Sequence, residues 1–199
     1  KVYGLGEFGT LEGLIYSFEL IDEMPLAGGL REVYGMDFGF TNDPTARVKI
    51  LVDHKRKHLY VQERCYKTHM QNKHIVDDLR SEGVGSHIEI FADCAEPKSI
   101  KDIQDGGFRV IACDKDAPVK SDKLKFQIQW LQGWKLFVTK DSLNLIEELR
   151  NYTWAKDKDG NLLNQPIDKF NHLLDALRYA VWSKYGRNAG QGDYYIRIR

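Results

Sequence analysis

One carboxylate set inside an apolar run constrains this chain more than any other feature. Val33-Tyr34-Gly35-Met36-Asp37-Phe38-Gly39-Phe40 is rich in strand formers and reads as a β-strand over about 31–40. Asp37 sits in its middle. A charge in a mostly apolar strand must be paired, solvated or bound to a cation. Gly35 and Gly39 stand two residues away on either side, and glycine in a strand often marks the close approach of a ligand or another backbone. On these residues alone, an edge-strand Asp facing water is as good an account as a functional carboxylate.

The segments that follow suggest what surrounds that strand. Thr41-Asn42-Asp43-Pro44 is a turn signal. Residues 45–53 alternate, with Ala46, Val48, Ile50 and Val52 on one face. After the basic tip His54-Lys55-Arg56-Lys57, residues 58–65 alternate again. Three strands on short turns make an antiparallel meander. The pattern then becomes helix (71–83, with Ile75, Val76 and Leu79 inward and Gly83 at its end), strand (88–92), helix (99–105) and strand (108–113). That order implies parallel pairing through crossovers. A helix over 121–131 with the apolar row Leu124, Ile128 and Leu131 precedes a short strand at 135–139. Asp141 or Ser142 opens the next helix, with Leu145, Ile146 and Leu149 inward. Residues 152–163 read as a β-hairpin around Asp159-Gly160. Asp168 is expected to cap a last helix over about 169–184. The fold class expected is α/β, a central mixed sheet flanked by helices.

Composition narrows the function classes. A hydrophobic share of 42% with 29% charged residues is that of a soluble globular domain, and no apolar run approaches a membrane span. Formal net charge is zero, which argues against a chain-wide electrostatic grip on DNA. The stretch Lys98–Lys140, with nine Lys/Arg against five Asp/Glu, leaves room for a local one. Cys65, Cys94 and Cys113 are odd in number and lack CxxC spacing. Neither a disulfide framework nor a zinc site is expected, and a reducing compartment is the natural setting. His54, His58, His69 and His74 read as surface residues. The glycine-rich residues 1–30 read as a connector that includes a short strand over 14–21 and a turn over 25–29, 31–184 as the domain, and 185–199 as a loose tail. Beginning at Lys1, the sequence is expected to be a piece of something longer.

Three acids stand out by place rather than by type. Asp37 is in the first strand. Asp93 ends a buried strand, and in an open α/β sheet that is where sites form. Asp175 lies on the last helix, where Asp168, His172, Asp175 and Tyr179 share a face apart from the row of Leu173, Leu174, Leu177 and Val181. Carboxylates brought together cannot all stay ionised unless a cation sits among them. Oxygen ligands select hard cations, Mg²⁺ or Mn²⁺, and two such ions serve phosphodiester cleavage. His172, one turn before Asp175, is placed to orient water or shuttle a proton. By position alone, three unrelated surface acids remain an open alternative in a chain that holds 29.

Three segments together resemble one family. They are Tyr34-Gly35-Met36-Asp37-Phe38-Gly39-Phe40-Thr41-Asn42-Asp43-Pro44-Thr45-Ala46, Ala92-Asp93-Cys94-Ala95-Glu96-Pro97-Lys98-Ser99-Ile100, and Asn171-His172-Leu173-Leu174-Asp175-Ala176-Leu177-Arg178-Tyr179-Ala180. In this order they are similar to the C-terminal nuclease domain of the large terminase subunit of tailed bacteriophages. Val2–Gly9 resembles the segment that leaves the ATPase domain in such proteins, and no Gly-x-x-x-x-Gly-Lys-Ser/Thr loop of a motor domain is present. The resemblance implies an RNase H-like fold of the RuvC/terminase type. It implies an endonuclease that cuts concatemeric double-stranded DNA with Mg²⁺ or Mn²⁺, as two ions. The acidic triad falls on Asp37, Asp93 and Asp175, with His172 beside it and Glu96 and Asp168 in auxiliary places. Lys156 and Lys158 on the hairpin, and Lys120 and Lys123, are candidate phosphate contacts. Implied partners are the ATPase domain of the longer protein, the portal and the small terminase subunit. The implied setting is the host cytoplasm, at the viral procapsid, with no membrane.

Three other readings stand beside this one. Asp37-Phe38-Gly39 with Thr41 is faintly similar to the phosphate-binding hairpin of actin-like ATPases and sugar kinases, but the chain is too short and lacks their second glycine-rich loop. A non-catalytic module docking DNA or a portal would not need three acids. A related RNase H-like nuclease, such as a junction resolvase, would carry the same acids and prefer branched DNA.

Overall fold

In a computed structural model of the chain, residues 13–119 and 121–186 are described. The segment Val2–Gly9, Lys120 and the tail beyond residue 186 lie outside the described residues. Alternation builds the sheet. In β2 (Arg31–Asp37) Val33 and Tyr34 turn to opposite faces and both are buried, because the strand is covered on both sides. β2 pairs antiparallel with β3 (Thr45–Asp53), and β3 pairs antiparallel with β4 (His58–Lys67), forming the expected meander. Ala46, Val48, Ile50 and Val52 all fill the core beneath it.

The crossovers add parallel strands on both flanks. β5 (Glu89–Ala92) pairs with β2, and β6 (Arg109–Ala112) with β5. β7 (Lys135–Thr139) pairs with β4. The sheet runs β1-β7-β4-β3-β2-β5-β6, with only β3 antiparallel to the rest. β1 (Phe18–Ile21) falls within the short strand expected over 14–21 and forms the sheet's outer strand, parallel to β7. Phe18 and Ile15 are drawn in by the apolar face they cover, which outweighs the glycines around them.

Helices cover both faces. α1 (Asn72–Glu82), ended by the left-handed Gly83, and α2 (Pro97–Asp105) pack Ile75, Leu79, Ile100 and Ile103 on Tyr34, Met36 and Ile90. The other face carries α3 (Lys123–Leu131), α4 (Leu143–Asn151) and α5 (His172–Tyr185). α5 crosses β2 so closely that a methyl group on Gly35 would lie 1.9 Å from the carbonyl oxygen of Ala176. The expected hairpin is β8 (Trp154–Lys156) with β9 (Leu162–Pro166). Asp157 closes its turn by accepting the backbone N–H of Asp159 and Asn161.

Three sequence expectations need revision. β2 stops at Asp37 rather than running to Phe40. The chain folds back at Gly39, whose carbonyl accepts the Thr45 hydroxyl at 2.8 Å, and Phe38-Gly39-Phe40 leaves the ladder. Leu124 is exposed; α3 buries Phe126, Gln127, Ile128 and Leu131 instead, with Phe126 packed edge-on against Trp182. Asp168 does not cap the last helix. β9 runs to Pro166, and Ile167 still donates to Thr153, so the helix begins only after Asn171. Trp134 is buried in the core, and Trp130 and Trp154 pack against it partly buried.

Candidate active site

Sheet register sets the first two acids side by side. β2 and β5 are parallel with Met36 opposite Ala92, so Asp37 and Asp93 leave the carboxyl ends of neighbouring strands one step later. The Asp93 backbone N–H donates to Met36 O at 3.1 Å and locks that step. Asp37 is thus the last residue of its strand, not the middle of it, and a carboxylate at that edge opens toward solvent and ligand. The third acid comes from α5. Its close crossing at Gly35 sets Asp175 above the strand end, one residue before Ala176.

Each acid has a different basic partner. His172 Nδ1 is 3.3 Å from Asp37 Oδ2, and its Nε2 faces Asp43 Oδ1 at 3.7 Å. Lys115, in the loop after β6, places Nζ 2.6 Å from Asp93 Oδ1. Arg178 Nη2 donates to Asp175 Oδ1 at 2.8 Å, while its Nη1 donates to Gln127 Oε1 at 2.6 Å. Lys115 and Arg178 both lie over the ring of Tyr179, at 5.1 and 4.8 Å. The three acid side chains are only 13%, 16% and 18% exposed, so each needs a polar partner. Their oxygens do not all fall within 4.8 Å of one another. They do share one field. Burial pushes the Asp37 carboxyl up, the charges of Asp175 and Asp93 add to that, and the His172 bond opposes it. The same bond holds His172 above its ordinary value, against its burial.

α5 is anchored where it meets the site. Glu148 on α4 is buried, and its Oε2 accepts the backbone N–H groups of Leu173 and Leu174 at 2.9 and 3.0 Å. It performs the capping expected of Asp168, from another helix, and holds the turn that carries His172 and Asp175.

The remaining sequence candidates lie farther out. Glu96 precedes α2 and accepts from Ser99 at 3.5 Å; it lines an open groove of about 560 Å³ with Phe38, Asp43 and Asn72. Asp168 is exposed. Lys123 pairs with Asp116. Lys156 and Lys158 are exposed on the hairpin. Lys120 lies outside the described residues. Sequence reading missed Lys115, Arg178 and Glu148. The last two had a visible signal: Glu148 falls in the apolar stripe Leu145-Leu149-Tyr152, and Arg178 in the stripe Leu174-Leu177-Val181. A charge in a buried stripe requires a partner.

The profile of the family described as "Terminase RNAseH like domain" matches residues 37–183, from the first acid to beyond the third. The chain belongs to this terminase family. Among curated relatives, the PBSX phage terminase large subunit of Bacillus subtilis is 34% identical over 147 residues, 74% of this chain and 33% of that protein. The terminase large subunit of Bacillus phage SPP1 is 31% identical over 150 residues, 73% of this chain and 34% of that protein. The chain therefore spans about a third of the length of those relatives. Solved terminase structures share the fold. The large terminase nuclease domain from bacteriophage SPP1 with bound Mn gives a TM-score of 0.71 at 24% identity, over 85% of this chain and 97% of that one. The nuclease from thermophilic phage G20c with bound magnesium gives 0.54 at 15% identity, over 85% and 97%. The expected RNase H-like α/β fold is the fold of this terminase domain.

Proposed function

We propose that this chain is the divalent-metal-dependent DNA endonuclease domain of a genome-packaging terminase, cutting concatemeric double-stranded DNA. One observation carries the reading: Asp37 and Asp93 end adjacent parallel strands beneath Asp175, each largely shielded acid held by its own basic side chain. The donor set fits a metal. Asp37 is pushed up by burial and by two neighbouring carboxylates, a tension that a bound cation relieves, and oxygen donors select Mg²⁺ or Mn²⁺. Two such ions, when bound, supply an activated water and neutralise the leaving oxygen of a phosphodiester.

The chain's own residues then have distinct tasks. Asp37, Asp93 and Asp175 hold the ions. His172 fixes the Asp37 carboxylate through Nδ1 and offers Nε2 as the atom that takes a proton from water. Arg178 holds Asp175 in place, and Lys115 gives up Asp93 and turns its ammonium to a phosphate. Lys156 and Lys158 extend the phosphate contacts along the hairpin, and Lys123, with Lys120 by its place in the sequence, adds to them; Glu96 and Asp168 serve as auxiliary acids. The nuclease unit covers residues 31–184 with β1 added to its sheet, followed by the tail 185–199. The relatives are named terminase large subunits; as the family resemblance implies, we assign this domain to a longer ATPase-bearing subunit that works with a portal and a small subunit at the procapsid in the host cytoplasm.

The test is nicking and linearisation of supercoiled plasmid by the 199-residue chain with Mn²⁺, with EDTA, and beside Asp93→Ala. Metal-dependent cutting that the variant lacks is the expected result. Absence of both cutting and Mn²⁺ binding would move the role to a docking module. Preference for branched over linear duplex would move it to a resolvase.

A further inference from the structure

The fold sets two cysteines against one of the three acids. The Cys113 backbone N–H donates to Ala92 O at 2.7 Å, carrying the β5–β6 pairing one step beyond both strands. That step brings together residues 19 positions apart in sequence. The Sγ atoms of Cys94 and Cys113 and a carboxylate oxygen of Asp93 all lie within 4.8 Å of one another. Both thiols are free; Cys94 is exposed and Cys113 is buried. Cys65, the third cysteine, lies in the opposite part of the sheet, on β4.

We propose that Asp93, Cys94 and Cys113 form a site for a thiophilic divalent cation of the Zn²⁺ class, and that filling it withdraws Asp93 from the catalytic site. Two thiolates and a carboxylate are three of the four ligands of tetrahedral zinc, and water supplies the fourth. Zinc's ligand atoms stand roughly 3.3–3.8 Å apart, so the cluster needs only rotations of exposed Cys94 and of Asp93 to close. On ligation each thiol releases its proton to solvent. Two thiolates, one carboxylate and one dication sum to −1, and the Lys115 ammonium beside Asp93 brings the cluster to neutrality. Hard cations do not compete for it: Mg²⁺ avoids sulfur, and Mn²⁺ stands lowest in the order of divalent affinities, whereas Co²⁺ and Zn²⁺ stand higher. The site is therefore silent in the metals that serve cleavage and responds to zinc. Only the consequence for cleavage rests on the nuclease reading; the ion site does not.

Co²⁺ is the probe, because thiolate-to-cobalt charge transfer absorbs in the near ultraviolet. Co²⁺ is titrated into the 199-residue chain, kept reduced with a phosphine rather than a competing thiol, and Zn²⁺ is then added. The expected result is a charge-transfer band that saturates at one ion per chain and bleaches with Zn²⁺. Cys94→Ser and Cys113→Ser should each weaken Co²⁺ binding at least about tenfold, since even outer-shell partners of a metal are worth that much. Cys94 is exposed, so its variant keeps the test sound if the buried Cys113→Ser fails to fold. No band in the parent chain, or an unchanged band in Cys94→Ser, overturns the site. In plasmid nicking with Mn²⁺, Zn²⁺ should inhibit the parent, and Cys94→Ser should need about tenfold more Zn²⁺ for the same fractional loss of its own zinc-free rate. Equal zinc sensitivity overturns the link to Asp93. If no nicking is seen at all, the cobalt spectrum still decides the site, so the two readings fail separately.

Discussion

The Glu148 carboxylate on α4 accepts the backbone N–H of Leu174 at 3.0 Å, inside the first turn of α5. With the matching bond from Leu173 it ties the helix carrying His172 and Asp175 to a second helix rather than to a local cap. The position of two site residues thus depends on a glutamate with no part in the chemistry.

Glu148→Ala should lower stability by roughly 1–3 kcal/mol, the cost of leaving buried N–H groups unpaired. Glu148→Gln keeps an acceptor oxygen and should lose less. Thermal melts of the two variants beside the parent check this, and equal Tm values for Ala and parent would sink the anchoring role.

The same residue gives a pH dependence. Burial pushes its carboxyl up to about 7, against the pull of the Leu174 N–H and of His172. The folded state holds the proton to higher pH than the unfolded one. Its stabilising contribution is therefore full below the ordinary glutamate range and lost as pH rises to about 7. Melts between pH 4 and 8 should show this decline in the parent and a flatter profile in Glu148→Gln. An identical slope in both would refute it.

Lys115→Ala removes the ammonium that holds Asp93. A partly exposed pair of this kind is worth at most about 1 kcal/mol, so Mn²⁺ binding without DNA should tighten by up to about fivefold. Calorimetric titration measures it. Weaker Mn²⁺ binding would mean that Lys115 supports the ion site instead of competing for it.

Asp37→Asn, Asp93→Asn and Asp175→Asn should each cut Mn²⁺-dependent plasmid nicking at least ~100-fold, since loss of a direct ligand exceeds the 10–100-fold typical of outer-shell partners. Circular dichroism should remain that of the parent. Full activity in any one would remove that acid from the site.

Mn²⁺ should raise the melting temperature of the parent chain. At a hundredfold excess over its dissociation constant, the gain is about 2.7 kcal/mol. EDTA should reverse it and Asp93→Asn should abolish most of it. A shift equally large in that variant would place the ion elsewhere.

The fold was legible where periodicity and burial coincide. Alternation in 45–53 and 58–65 exposed the meander, and the short apolar run before Asp93 exposed the strand that carries it. The ends of elements were less legible. Asp168 has the right chemistry for a cap, but whether the helix starts there depends on how far β9 pairs with β8, a tertiary matter. Asp37, Asp93, Asp175 and His172 could be named because each lies in a distinctive local segment. Lys115 and Cys113 could not, since their neighbours are 19 or more positions away and only the β5–β6 register brings them near. Cys94 was visible as a residue but not as half of a pair.

Gly35 contributes no atom to the chemistry, yet Ala176 occupies the space where its side chain would be. The spacing between the strand acid and the helix acid is therefore set by backbone against backbone, with no compressible group between them. A saturation mutagenesis map scored on DNA cleavage would show position 35 as intolerant as the three acids. Read without coordinates, such a map would count a spacer among the reagents; a parallel map scored on folded protein would separate them, since position 35 would fail both and the acids only one.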